Sequence, residues 1–172
     1  MNARQSPTKA ITVQATAMIE PWHGPDWQRL WLSLRGRPWN SLAIVPASSG
    51  APRDFSLTVA MTLARTGMLQ LGAVIHVADA VTVQLSDMVL LEQEVRACKD
   101  RRELVLIALG PLRDNPVTDV LAKAADLSLL CILFEHMLNV EAKETVEKIG
   151  KERFIGSTVF HPEMIGLNAK KK

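Results

Sequence analysis

The chain has 172 residues, 48% of them hydrophobic and 22% charged, which suits a single globular domain with a sizeable core. Its formal net charge is only +2, and no stripe of Lys and Arg is interleaved with aromatic residues, so we expect no nucleic-acid partner. The isolated Cys98 and Cys131, with no secretory signal, indicate a cytoplasmic location. No apolar run is long enough for direct membrane insertion, so we expect any recruitment to the inner membrane to require a partner.

Three segments are distinguished by their composition. We interpret residues 1–21 as a mobile N-terminal arm, residues 22–162 as one domain and residues 163–172 as a basic tail. The domain opens with a short amphipathic helix that is predicted to begin at Pro25 and to stop by Gly36. Its apolar face repeats at helical spacing and is formed by Trp27, Leu30, Trp31 and Leu34.

Five apolar runs predict strands, and they are too continuously apolar for a sheet with one wet face. The runs are 41–47, 71–77, 103–109, 127–134 and 154–160. Helical patterns separate them: the first is predicted to be capped by Asp54 or Ser56 and to end at Gly67, and the last, 140–150, is a charged surface helix. This alternation predicts an α/β fold with a doubly wound, mainly parallel five-stranded sheet flanked by helices.

The loop after the first strand is the most informative stretch for function. In an α/β protein it lies at the carboxyl end of a parallel strand, where the free N–H groups of the next helix attract anions. The loop residues are Ser48, Ser49, Gly50, Ala51, Pro52, Arg53 and Asp54. We favour a simple turn between strand and helix, and weak anion or nucleotide binding remains the alternative.

Other candidates for chemistry are few. His76 lies in an apolar strand and is predicted to be a hydrogen-bonded core residue rather than a ligand or a base. The remaining histidines lack the spacing of a zinc site, and no nucleophile motif such as G-x-S-x-G is present. The residues therefore predict no catalytic group, no metal and no cofactor.

Three runs of the sequence resemble the deviant-Walker P-loop ATPases of the MinD/ParA type. They look closest to the BY-kinases, tyrosine autokinase domains that regulate bacterial polysaccharide chain length and export. The runs are SLAIVPASSGAPRDFSLTVAMTLARTG, LGAVIHVADA and ELVLIALGPLRDNPVTDVLAKAADLSLLCIL. The most telling part is LIALGPL followed by a helix and Ala124-Ala125-Asp126. The resemblance covers about residues 26–160 and implies a truncated P-loop NTPase-like fold.

The family's catalytic positions carry residues that do not support phosphoryl transfer. Where Gly-Lys-Ser-Thr would bind phosphate and Mg²⁺, this chain has Ala51, Pro52, Arg53 and Asp54. Ala108 stands at the strand-three aspartate, and Ala78-Asp79-Ala80 retains one of two carboxylates. The chain has no tyrosine that an autokinase could modify. The resemblance therefore implies a pseudo-ATPase or pseudokinase.

The segment DWQRLWL resembles the family's oligomerisation helix. Asp26 stands at its acidic position and Arg29 at its first arginine, while Leu32 replaces the second arginine. Self-association is therefore a further expectation. The candidate interface consists of Asp26, Trp27, Arg29 and Trp31, although core packing would also account for some of the tryptophans.

The resemblance implies a regulatory or scaffolding role in bacterial exopolysaccharide biosynthesis and export. The implied partner is a membrane polysaccharide co-polymerase or another export component. The alternative is an ATP-binding protein of the MinD/ParA type, in cell division or positioning, with residual nucleotide binding through Arg53 and Asp79.

Overall fold

The computed structural model describes residues 21–136 and 138–166, which form a single α/β domain. The strands are β1 (Ser41–Pro46), β2 (Ile75–Ala80), β3 (Leu104–Leu109), β4 (Leu127–Leu133) and β5 (Phe154–Phe160). The α-helices are α1 (Pro25–Leu34), α2 (Phe55–Leu71), α3 (Met88–Asp100), α4 (Val117–Ala124) and α5 (Asn139–Ile149). Short 3₁₀ turns span Pro21–His23, Lys151–Arg153 and Pro162–Ile165. The predicted arm up to residue 20, and the tail from residue 167, lie outside the described residues.

The five strands are all parallel and lie in the order β2-β3-β1-β4-β5. The predicted doubly wound parallel sheet is thereby confirmed, and its order differs from both the 3-2-1-4-5 and the 2-1-3-4-5 arrangements. The chain leaves β1 in one direction to reach β2 and moves the opposite way afterwards. Right-handed crossovers therefore put α2 on one face and the three later helices on the other.

Side chains of the central strand alternate between two cores, as a sheet covered on both faces requires. Leu42 and Ile44 belong to the core beneath α1 and α2. Ala43 and Val45 belong to the core beneath the other three helices. All four residues are fully buried.

Helix α1 lies on the same face of the sheet as α2. Because α2 is the one crossover helix on that face, α1 is needed to cover the rest of the strands. It packs beside α2, and the Trp27 ring lies 5.4 Å from the ring of Phe160 on the edge strand β5. Trp31 is only 1% exposed and meets the Trp39 ring edge-on at 6.0 Å. The prediction that Trp27 and Trp31 are interface anchors is therefore wrong, because both indoles are in the core.

The predicted end of α2 is also wrong. The helix continues to Leu71 and ends at Gly72, which has the left-handed φ of 65° that favours glycine at a helix C-terminus. Gly67 is instead a buried contact point, because a Cβ there would collide with Trp31 and Ile75. As a result β2 begins four residues later than predicted.

The domain also extends past residue 162. Ile165 is buried and Met164 packs against the same core as α1 and α2, so part of the segment that was predicted as a tail belongs to the fold. Within the described residues, no helix combines the length and the apolar character that crossing a membrane requires.

Asp126, which follows α4, fastens the start of β1 at the amino edge of the sheet. Its carboxylate accepts hydrogen bonds from the N–H groups of Asn40 at 2.9 Å and Ser41 at 3.0 Å, and it pairs with Lys99. Partial burial acts to raise the pKa of Asp126, but the hydrogen bonds from Lys99 and the two N–H groups outweigh it and hold the pKa below its ordinary value.

Replacing Asp126 with Asn is expected to lower the free energy of unfolding at neutral pH by about 1 to 2 kcal/mol, because the charge-assisted hydrogen bonds are lost. A lowered native pKa stabilises the native state above the carboxyl's ordinary pKa, and this contribution is lost as the pH falls through the native value. Urea denaturation at a series of acidic pH values gives the free energy of unfolding of both proteins. Acid dependence that is identical in wild type and Asp126→Asn would contradict this role.

Candidate functional site

Three loops meet at the carboxyl edge of the sheet, where open α/β sheets bind ligands. They are residues 47–54 after β1, 81–87 after β2 and 110–116 after β3. Together they border a cleft of about 690 Å³. Its lining residues include Ser49, Arg53, Val81, Leu85, Pro111 and Asn115.

One backbone N–H and one hydroxyl of the β1 loop are engaged by a carboxylate of the same chain. The Ser49 N–H donates to Glu141 Oε2 at 2.8 Å, and Ser49 Oγ lies 3.1 and 3.2 Å from the two carboxylate oxygens. Arg113 Nη1 donates to Glu141 Oε1 at 3.1 Å. The Glu141 side chain is 7% exposed, so a buried charge is compensated by a cation and two donors.

Arg113 joins this carboxylate to the protein surface. Its guanidinium also donates to Glu144 Oε2 at 2.7 and 3.0 Å, so α5 holds it through two acids one turn apart. The hydrogen bond to Glu144, followed by the negative charges of Glu144 and Glu141, raises the pKa of Arg113 above its ordinary value. The helix predicted to be a charged surface helix thus contributes a buried acid to the site.

The rest of the loop is fixed by the backbone around it. Ser48 Oγ donates to the carbonyl of His136, and a Cβ added to Gly50 would lie 3.2 Å from the same oxygen. The Phe55 N–H donates to the carbonyl of Pro52 at 3.0 Å. These contacts hold the loop in a defined turn.

The predicted caps of α2 behave differently from expectation. Asp54 occupies the N-cap position, but its side chain makes no capping hydrogen bond. Ser56 lies inside the helix, and its Oγ donates to the carbonyl of Leu109 at 2.6 Å. The hydroxyl therefore ties α2 to the end of β3.

Two positions that the resemblance matches to metal-binding acids, 79 and 108, lie side by side in the sheet. Asp79 and Ala108 are register partners on β2 and β3. Ala108 is fully buried and its methyl group cannot bind a cation, whereas the exposed Asp79 accepts a hydrogen bond from the Val81 N–H at 3.1 Å. Ala78, the neighbouring position, packs against the core.

Arg53, Asp54 and Asp79 line a smaller cleft of about 240 Å³ beside the main one. Among the described residues, no three ligand atoms of His, Cys, Asp or Glu side chains converge at this cleft. Two carboxylates beside one arginine suit a weak polar contact better than a polyphosphate, because the acids repel its negative charge.

Asn115 fixes the far wall of the main cleft, and sequence reasoning did not single it out. Its amide nitrogen lies 3.4 Å from the carbonyl oxygen of Val81 and 3.3 Å from that of Val83, and its oxygen accepts from the Val117 N–H at 3.0 Å. Gly110 permits this approach, because a Cβ there would lie 2.7 Å from the Val81 oxygen. An asparagine between Asp114 and Pro116 is typical of a turn, so the sequence did carry a signal at this position.

The remaining sequence candidates lie away from the cleft. Asp26 and Arg29 are exposed on α1 and pair with each other at 3.4 Å, and Leu32, at the position of the missing arginine, is 63% exposed. His76 is half-buried on the edge strand β2 and hydrogen-bonds Glu103, so it is not the core residue that was predicted.

Comparison of the chain with protein-family models, curated proteins and solved structures found no match. The resemblance to P-loop ATPases is therefore carried by sequence motifs alone.

Glu141→Ala is expected to lower the free energy of unfolding by about 2 to 4 kcal/mol, because it strands a buried N–H and leaves Arg113 half-paired. The matched control is Glu144→Ala on the same helix, whose half-exposed carboxylate contributes at most about 1 kcal/mol. Urea denaturation compares the two variants. Equal losses would show that the buried contact with the loop has no special weight.

Proposed function

We propose that this protein is a catalytically inactive relative of the MinD/ParA-type ATPases and BY-kinases. It acts as a regulatory or scaffolding partner in bacterial exopolysaccharide biosynthesis and export. Its partner in this proposal is a membrane polysaccharide co-polymerase or another export component.

The observation that carries the proposal is the occupied loop. A phosphate-binding loop catalyses phosphoryl transfer by directing backbone N–H groups, a lysine and a metal at the phosphates. In this chain the Ser49 N–H and hydroxyl are engaged by Glu141, a fixed negative charge that repels an incoming phosphate. Pro52 supplies no N–H, and Ala108 supplies no carboxylate.

The surface that we propose for the partner is the exposed side of α1. Asp26, Arg29 and Leu32 lie on it, opposite the buried tryptophans. The Asp26–Arg29 pair is exposed and therefore costs little to separate, so both charges are available to a partner or to a second copy of the chain. Self-association through this surface belongs to the same proposal.

The second candidate is residual nucleotide binding in a protein of cell division or positioning. It is favoured by the small cleft where Arg53 approaches Asp79, since these are the cation and the acid that such binding would use.

Calorimetric titration of ATP with Mg²⁺ into the purified protein is expected to give no binding at micromolar concentrations and no turnover. The physical reason is the Glu141 carboxylate on the Ser49 N–H, together with the missing lysine and metal ligands. Pro52→Lys is expected to leave this result unchanged. Metal-dependent turnover would refute inactivity, and micromolar binding that Arg53→Ala abolishes would support the second candidate instead.

Arg29→Glu is expected to reduce co-purification with the proposed polysaccharide co-polymerase partner by about tenfold or more, because it reverses a charge at the proposed surface. Lys143→Glu makes the same charge change on the exposed side of α5 and serves as the matched control. Quantitative co-purification from membranes measures both variants. An equal loss for the two variants would exclude α1 as the contact, and no association by wild type would contradict the proposed partner.

A further inference from the structure

A separate group of side chains, of types that can bind metals, lies near the amino edge of the sheet, away from the cleft. His76 is on β2, Cys98 is in the last turn of α3, and Glu103 directly precedes β3. One donor atom from each of the three residues lies within 4.8 Å of the other two. We propose that this cluster is a zinc-binding site.

The backbone brings the three residues together in a defined way. The Glu103 N–H donates to the carbonyl of Cys98 at 2.9 Å, and the Arg102 N–H donates to that of Lys99 at 2.9 Å. With Arg102 at a left-handed φ of 59°, this is the Schellman ending of a helix, and it fixes Cys98 relative to Glu103. Pairing of β2 with β3 then places His76, whose Nε2 lies 3.0 Å from Glu103 Oε2.

The donor atoms select the metal. A sulfur, an imidazole nitrogen and a carboxylate oxygen form a borderline-soft set that zinc prefers, whereas Mg²⁺ and Ca²⁺ prefer oxygen alone. Neighbouring donors in a tetrahedral zinc site lie roughly 3.3 to 3.8 Å apart. The donors here lie at most 4.8 Å from one another, so each separation is within about 1.5 Å of that range. The C-terminal end of α3 adds a favourable dipole for a cation.

Three protein ligands leave a fourth position for water. His76 and Glu103 are partly exposed, and a cleft of about 300 Å³ lined by His76, Glu94 and Cys98 opens beside them. An ion from solvent therefore reaches the cluster without unfolding of the sheet. Such an open coordination position is typical of zinc sites that take a water or another ligand.

The Arg101 side chain competes with a metal ion for two of the ligands. Its guanidinium lies 2.8 Å from Glu103 Oε2 and 3.5 Å from Cys98 Sγ, so a positive group already bridges two of the ligands. The side chain is 56% exposed and can rotate into solvent. Zinc binding thus requires displacement of Arg101, which sets the affinity of the site.

Titration of ZnCl₂ into the full-length, tag-free protein by calorimetry is expected to give one ion per chain. Cys98→Ser and His76→Ala should each weaken zinc binding at least about tenfold. Loss of a residue that only hydrogen-bonds a metal ligand already costs about tenfold or more in affinity, and loss of the ligand itself costs no less. Arg101→Gln should strengthen binding several-fold, since the competing cation is gone. His23→Ala, at an exposed histidine outside the cluster, is the matched control and should bind as wild type does.

Substitution with Co²⁺ identifies the ligands independently of affinity. A sulfur-to-cobalt charge-transfer absorption is expected in wild type and absent in Cys98→Ser, with thermal denaturation confirming that the variants are folded. Absence of zinc binding by wild type would overturn the proposal. Binding unchanged by both ligand variants, or cobalt spectra without the sulfur band, would overturn it as well.

Discussion

The burial of one carboxylate against one loop organises the carboxyl edge of this sheet. Glu141 accepts from the Ser49 backbone after β1 and from Arg113 after β3, so it connects two loops to α5. A buried charge is tolerated only where its hydrogen bonds are satisfied, and each partner therefore constrains the other two. The conformation of the β1 loop is thus stabilised by a carboxylate that the chain itself provides.

A different requirement explains the position of α1: the apolar strands must be shielded from water on this face of the sheet. Among the crossover helices, only α2 lies on the same face of the sheet as α1. The Trp27 ring completes the core against Phe160 of β5, and the Trp31 ring lies against Trp39 and beside Gly67 of α2. Gly67 makes this possible, because any side chain at that position of α2 would collide with Trp31. The tryptophans are thus needed for packing, and what remains for recognition on α1 is its exposed side with Asp26 and Arg29.

Apolar runs were sufficient to predict five strands and a doubly wound sheet, because parallel strands buried on both faces have few alternatives. The boundary of α2 was not predictable, since a glycine that ends a helix and one that permits a close contact look alike in sequence. Glu141 was missed for a related reason. Its contact with Ser49 joins residues 92 positions apart, and a glutamate on a charged helix gives no local sign of burial.

The proposed inactivity requires that Glu141 stays on the Ser49 N–H in the presence of a phosphate. A crystal structure of the protein grown with ATP and Mg²⁺ tests this most directly. We expect the Glu141 carboxylate on the Ser49 N–H and no nucleotide at the carboxyl edge of the sheet. An ordered triphosphate with its magnesium between Ser49 and Ala108, and Glu141 displaced, would contradict it.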